Sequence, residues 1–503
     1  MKNHNRTYSA SLAVLAVLAS LSSGFVLYLT WASASGPVRT HLPEWSLTWV
    51  AVINFGYAVA IVITLCARHF KVETGRVFTR ILNWALLPAF PGGTVVGLYG
   101  LLRADRSTPA LTATLKAASM KPATASDALV NRHNQIYVAI IAGVLFFVTS
   151  IASTLAATVD EVVASEMEKH GITGVSLAVI ENGKIIEAKG YGFTDKSKAT
   201  AVTTNTLFQA GSVSKPVAAL AALRLVEAGK LALDDNVNQF LKQWRVPENE
   251  FTKEQKVTLR RILSHSAGLT VHGFPGYSVS SPRPSLRQVL DGSGPANTPA
   301  IRVDVVPGTI FRYSGGGYTV MQQLMIDVTG ETFPELMRES VLTPLGMNDS
   351  TYEQPLPPDR VGATATGYYS NGKQVQGGWH IYPEMAAAGL WTTPSDLARF
   401  VISVQKGLAD NSNPAISQSM IRQMLTVQKG HWGLGLLLTG RGKLLRFSHQ
   451  GRDEGFDTFM LAYVESRQGV VIMINTNDDS GAVGRIVDAV RQEYHRPEVG
   501  GGE

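Results

Sequence analysis

Cysteine is all but missing from this chain: Cys66 is the only one in 503 residues, and it lies inside an apolar run. That excludes a disulfide framework and a Cys-based metal site, while neither requiring nor excluding an extracytoplasmic location. Internal repeats are also lacking. Acidic residues are scarce in one region only. Residues 1–157 hold 12 Lys/Arg and 4 Asp/Glu, a balance of +8, whereas the remainder holds 33 and 35, a balance of −2, so the overall +6 is unevenly spread. The basic excess flanks hydrophobic runs, which points to membrane topology and away from nucleic acid. The near-neutral remainder, about 345 residues, is long enough for its own core.

The N-terminal third reads as an all-α transmembrane region over 1–157. Residues 9–31 carry no charge and match the roughly 20 residues that a bilayer-crossing helix needs. Ala32-Ser33-Ala34 resembles a signal-peptide cleavage site, but the apolar stretch is long for one, which favours an uncleaved anchor. Further spans are expected over 45–67 and 136–156. The first is followed by Arg68, Lys71, Arg76 and Arg80, and the second is preceded by Arg103, Arg106, Lys116, Lys121 and Arg132. Positive loops stay on the cytoplasmic side. Residues 81–102 separate those two loops, and Pro88, Pro91, Gly92 and Gly93 interrupt their middle. A re-entrant hairpin there keeps both loops inside and sends the last span outward. A complete fourth crossing would instead put the C-terminal region in the cytoplasm, or require the N-terminus outside. The hairpin is favoured, because proline inside a helix costs about 3 kcal/mol.

Residues 158–496 read as an α+β domain, and 497–503 as a disordered tail. Val159 to His170 has helical spacing closed by Gly171. GVSLAVI (174–180) and KIIEAKGYG (184–192) flank Asn182-Gly183, a strong hairpin signal. Ser212 stands at a helix start, since Pro216 fits only near a first turn, and Gly229 closes that helix. Residues 257–430 are mostly helical patterns with loops, and Thr393-Pro394-Ser395-Asp396 begins one helix. GLGLLLT, KLLRFS, FDTFMLAYVE and GVVIMIN then read as successive antiparallel strands, and a helix over about 482–494 completes the domain. Strands at both ends predict one antiparallel sheet flanked by helices, with a helical subdomain inserted between.

Three short motifs carry the chemistry. Ser212-Val213-Ser214-Lys215 is S-x-x-K, in which one helical turn sets the hydroxyl and the amine on one face. A serine hydroxyl needs a base to take its proton, and a lysine serves only if burial or neighbouring charge makes its amine less basic. Alone this pattern is weak, expected about once or twice by chance in a chain of this length. Tyr313-Ser314-Gly315 follows, where the phenol suits proton relay to a leaving group and the glycines admit substrate to the backbone. His449-Gln450-Gly451 comes at a strand end, where a cationic or hydrogen-bonding side chain beside a glycine on an edge strand suits a substrate carboxylate or carbonyl. Taken singly, each also reads as ordinary structure: a capped helix, a core tyrosine before a glycine turn, a surface histidine in a turn.

Together, with LRRILSHSAGL, PGTIFRYSGGGY, VLTPLGMNDSTY, AAAGLWTTPSDLARF and HQGRDEGF, the motifs resemble those of the class C β-lactamase-like serine hydrolases over 158–496. That family includes β-lactamases, D-stereospecific peptidases, DD-carboxypeptidases and esterases. The resemblance implies a β-lactamase/transpeptidase-like fold. It implies Ser212 as the acylated nucleophile, Lys215 and Tyr313 sharing general-base and general-acid roles, and an oxyanion hole from the backbone N–H groups of Ser212 and Arg452. His449 stands where the family more often has lysine, and Gly315 where it commonly has asparagine. Both departures favour an esterase or peptidase over a β-lactamase, and His449, Gly451 and Gly315 become substrate-binding positions. His265, in LSHSAGL, is expected to be a structural helix-end residue. No metal or organic cofactor is implied, and the expected partners are a small peptide, amide or ester substrate and the lipid bilayer. Two competitors are a penicillin-binding sensor that acylates without turnover and a non-catalytic binding module. Sensors of that kind couple to an intracellular His-Glu-x-x-His protease, and none of His4, His41, His69 or His133 is followed by Glu. The combined expectation is an enzyme anchored in a bacterial-type cytoplasmic membrane with its catalytic domain outside.

Overall fold

The computed structural model describes residues 157–197, 200–410 and 414–494. The expected spans over 9–31, 45–67, 81–102 and 136–156 and the tail 497–503 lie outside them. Among the described residues no helix is long and apolar enough to cross a membrane.

Helix α1 (Val159–His170) begins at a capping box. Thr158 accepts from the Glu161 amide while the Glu161 carboxylate accepts from the Thr158 amide. Gly171, at φ 63°, ends it in the left-handed conformation that glycine adopts without strain. Strands β1 (Gly174–Glu181) and β2 (Lys184–Asp195) follow, joined by Asn182 and Gly183 with φ of 51° and 69°. Two consecutive positive φ values make the tight turn whose twist matches the strands, as the Asn-Gly pair predicts.

After a short β3 (Thr200–Ala201), a 3-10 turn at Gly211–Val213 feeds α2 (Ser214–Glu227). This helix is alanine- and leucine-rich and buried from Ser214 to Leu223, as expected for a helix covered on all sides. The inserted region includes α3 (Leu259–Leu263), α4 (Gly315–Thr329), the single turn α5 (Met385–Ala388) and α6 (Pro394–Asp410). The chain then returns through β4 (Leu437–Thr439), β5 (Arg446–Asp453), β6 (Phe456–Tyr463) and β7 (Gly469–Ile474) to α7 (Ala482–Glu493).

The sheet order is β3-β2-β1-β7-β6-β5-β4, all antiparallel where they pair. The first long strand thus pairs with the last, Val175 opposite Ile474 and Ile180 opposite Gly469. Period-2 alternation divides the apolar residues between two cores. Val175, Leu177, Val179, Val470, Ile472 and Ile474 pack under α1 and α7, while Ala178, Ile180, Val471 and Met473 face the large core with α2 and the inserted helices. Covering both faces explains why GVVIMI is an unbroken apolar run. The expected α+β architecture is observed, with two differences. The strand expected at GLGLLLT shrinks to Leu437–Thr439, and the one expected at KLLRFS starts only at Arg446, after a 3-10 turn.

Ile472 is fully buried at the sheet centre, opposite Leu177 on one side and Phe459 on the other. Ile472→Ala is expected to destabilise the domain by about 2–5 kcal/mol, read as a lowered melting transition of the intact chain with tryptophan fluorescence.

Candidate active site

The nucleophile loop is shaped by backbone contacts. Ser214, the second serine of the motif, is structural: its hydroxyl donates to the Gly211 carbonyl at 2.6 Å and accepts from the Leu390 amide at 3.0 Å. The Tyr352 phenol donates to the Ser214 carbonyl at 2.7 Å. With the first turn fastened this way, Lys215 Nζ comes 2.8 Å from Ser212 Oγ and donates to the Ala387 carbonyl of α5 at 2.8 Å. Lys215 is 1% exposed. Burial therefore disfavours its ammonium form, and the nearby Asp453 charge only partly offsets this, leaving the amine near pKa 7. An amine of that basicity is a competent proton acceptor at neutral pH.

Tyr313 supplies the third group. Its ring centre lies 5.1 Å from Lys215 Nζ, and its phenol is close enough to Ser212 for the serine to act on its acidity. Burial holds the phenol well above its ordinary pKa, with the Ser212 contact opposing, so it stays protonated and suited to donate. The three groups expected to meet do meet.

His265 turns out to be how Tyr313 is held. It follows α3 at φ 53°, its carbonyl accepts from the Arg312 amide at 2.7 Å, and its Nδ1 accepts from the Ser314 amide at 3.2 Å. Both neighbours of Tyr313 are tied to one residue, and the His265 ring stacks on the phenol ring at 4.1 Å and 30°. Burial, then the Lys215 charge, push the imidazole well below its ordinary pKa, so it is neutral. The helix-end expectation is right about position. The added role in orienting Tyr313 had no sequence signal beyond the LSHSAGL string.

His449, Gly451 and Arg452 lie on β5, and here two expectations need correction. His449 sits in the body of the strand, not at its end, and β5 is not the edge strand. β4 covers it, but only over Arg446–Ser448, so the rest of β5 is free of that neighbour. Nor is His449 a cation: burial first, and the Lys215 charge next, lower its pKa to about 3. Its Nδ1 lies 2.7 Å from the Gln450 carbonyl and so carries the ring proton, leaving buried Nε2 as a bare acceptor without a partner. Of the two roles read from the sequence, hydrogen bonding survives and the charged anchor for a carboxylate does not.

Gly451 is required by contact. A Cβ there would fall 2.0 Å from the Ala210 carbonyl oxygen and 2.8 Å from the Ser212 amide nitrogen. The Arg452 backbone is pressed against the same loop, its nitrogen 2.6 Å from where a Gly211 Cβ would stand. Its side chain points to the other face, paired with Asp457 and Asp479. Gly315 opens α4, where a Cβ would meet the His272 carbonyl at 3.0 Å and the Phe274 ring at 3.1 Å. Phe274 therefore occupies room that an asparagine amide would need. Beside Tyr313, Trp432 is half-buried and stacks on Phe311 at 5.9 Å and 17°, and the two rings form an apolar wall. A separate cavity of about 530 Å³, lined by Lys184, Ile185, Leu345, Arg399, Ile402 and Lys406, shares no residue with this site.

Two outcomes follow. Because the base is the free amine, acyl transfer to Ser212 should rise as pH climbs through about 7 and fall about tenfold per unit below it. A pH–kcat/KM profile with its acid limb near 10, or with no limb, would contradict this. Gly451→Ala should cut fluorophosphonate labelling of Ser212 by about 100-fold, because two backbones must separate.

The Beta-lactamase family model matches residues 159–493. Penicillin-binding protein 4 of Amycolatopsis lactamdurans is 26% identical over 323 residues, covering 61% of this chain and 82% of that one. Protein flp of Staphylococcus aureus is 25% identical over 344 residues, which are 64% of this chain and 63% of flp, so this chain spans less than two thirds of that relative. In fold, the domain is similar to a β-lactamase/D-alanine carboxypeptidase from Pseudomonas syringae, with TM-score 0.53 at 21% identity, covering 66% of this chain and 98% of that one. With its Ser212–Lys215–Tyr313 geometry and a family match over two thirds of its length, the chain belongs to the beta-lactamase family of penicillin-recognising serine hydrolases.

Proposed function

We propose that this hydrolase works through an acyl-enzyme on Ser212, opening ester or amide bonds whose leaving side carries no carboxylate. The observation that carries the reading is the 2.8 Å approach of a buried, weakly basic Lys215 amine to the Ser212 hydroxyl. Lys215 takes the Ser212 proton as Oγ attacks the carbonyl. The oxyanion forms against the amides of Ser212 and Arg452, where one lost donor costs about 10²–10³ in rate. The proton passes to the leaving group by way of the Tyr313 phenol, and water then releases the acyl group by the same relay. A neutral His449 with only an acceptor to offer favours a substrate donor over a carboxylate, and the Trp432–Phe311 wall favours apolar groups. Gly315, closed in by Phe274, speaks against the asparagine-type recognition of a β-lactam side chain.

Among amides, peptides with a D-residue on the acyl side are the leading class, by analogy with the penicillin-recognising family to which the chain belongs. Extracytoplasmic action from a membrane anchor rests on the apolar and basic pattern of residues 1–157.

A substrate panel tests this. Short-chain p-nitrophenyl esters or D-alanine p-nitroanilide should be turned over with kcat/KM at least about tenfold above nitrocefin, and Ser212→Ala should lower kcat by about 10³-fold or more. Stoichiometric burst labelling without steady turnover would replace the hydrolase reading with the sensor.

A further inference from the structure

Beside the catalytic phenol the fold holds aromatic surface that it does not bury. Phe311, two residues before Tyr313, keeps 40% of its surface exposed, and Trp432 is only half-buried. The two rings stack at 5.9 Å and 17°, and the Trp432 ring centre lies 5.7 Å from that of Tyr313 and 5.4 Å from that of His449. Both rings are fixed from the protein side. The buried His265 ring meets each of them at 89°, Trp432 at 4.7 Å and Phe311 at 6.1 Å. The turn that carries Trp432 is tied to the loop before Phe311, since Lys429 Nζ donates to the Gly308 carbonyl at 3.0 Å. Its backbone is closed by the Trp432 amide, which donates to the Lys429 carbonyl at 2.9 Å. Exposed apolar side chains standing singly are ordinary, but a rigid stacked pair bordering the reacting groups is surface kept for a ligand.

We propose, resting on the hydrolase reading above, that Trp432 and Phe311 form a leaving-group subsite, and that the substrates are esters or amides whose departing alcohol or amine carries an uncharged aromatic or similarly flat apolar group. The side follows from the proton path. Tyr313 hands its proton to the leaving atom, so the departing half of the substrate lies against Tyr313, while the acyl half stays bonded to Ser212. The ring next to that phenol is Trp432, and Phe311 continues the surface beyond it. His449, at the edge of the same surface, narrows the class. Its buried Nε2 has no partner and only accepts, so a carboxylate on the departing half would face a lone pair, whereas a hydroxyl or N–H there would find an acceptor. In the acylation step Ser212 Oγ bonds to the acyl carbon and loses its proton to Lys215. The bond to the aryl-bearing oxygen or nitrogen breaks, that atom leaves with the Tyr313 proton, and Tyr313 regains one from Lys215.

The test changes one half of the substrate at a time, with the full chain and its Trp432→Ala variant. On the leaving side, 2-phenylethyl butyrate is compared with ethyl butyrate; the two alcohols are similarly acidic, so recognition and not bond strength sets the ratio of kcat/KM. Wild-type chain should prefer the phenylethyl ester by about tenfold or more, the scale on which apolar pockets separate substrates, and Trp432→Ala should bring that ratio to within about twofold of unity. On the acyl side, the ratio of ethyl hexanoate to ethyl butyrate should be the same in both proteins. Where Trp432→Ala fails to fold, Trp432→Gln, which keeps length without the ring, takes its place. A wild-type chain without the phenylethyl preference would overturn the proposal. So would a variant that loses both leaving groups equally, which would make Trp432 a mere support for Tyr313, or one that shifts the acyl ratio instead. Wild-type chain that cleaves neither these esters nor p-nitrophenyl butyrate would overturn the hydrolase reading on which the proposal rests.

Discussion

Everything chemical in this domain depends on keeping one amine dry. Lys215 is enclosed by α2, the α5 turn and the rings of Tyr313 and Tyr318, with Ser212 and the Ala387 carbonyl as its hydrogen-bond partners. Water at that position would return the amine to its ordinary basicity and leave it protonated at neutral pH, unable to serve as a base. The alanine-rich stretch of α2, buried from Ser214 to Leu223, and the absence of room beside Gly451 are both expressions of that requirement.

The inserted helices serve the same end from a distance in sequence. Tyr313 comes from the inserted region, about 100 residues beyond Ser212, and is held from both sides by His265, which uses its own carbonyl and ring nitrogen on the residues before and after the tyrosine. A side chain fastened only by its own packing would keep several rotamers. One whose backbone is tied on both flanks and whose ring is stacked is preorganised, which is what proton relay over hydrogen-bond distances demands.

Legibility in the sequence followed the range of the interactions. The Asn182-Gly183 turn, the Gly171 cap and the Thr393–Asp396 helix start are local and read directly from residue type. The Ser212–Lys215 pair is local too, one helical turn, but Tyr313 joined it only through family resemblance. His449 was read as either a cationic or a hydrogen-bonding group, and only the second fits its buried, neutral ring. Its charge depends on burial by Trp432 and Tyr313 and on the Lys215 field, none of which the HQG string contains. His265 was read as a helix-end residue, and its hold on Tyr313 went unread for the same reason, since the residues it ties lie tens of residues away.

The pairing of β1 with β7 has a consequence for how the domain is made. A ribosome or translocation channel delivers β1 first, yet its neighbour on one side is the last strand of the sheet, about 290 residues later. During that interval Val175, Leu177 and Val179 have neither β7 nor α7 to cover them. The hairpin with β2 can form alone, but the sheet whose β5 presses Gly451 against the Ser212 loop is complete only after β7 has emerged. The nascent hydrolase is therefore silent until synthesis is nearly finished.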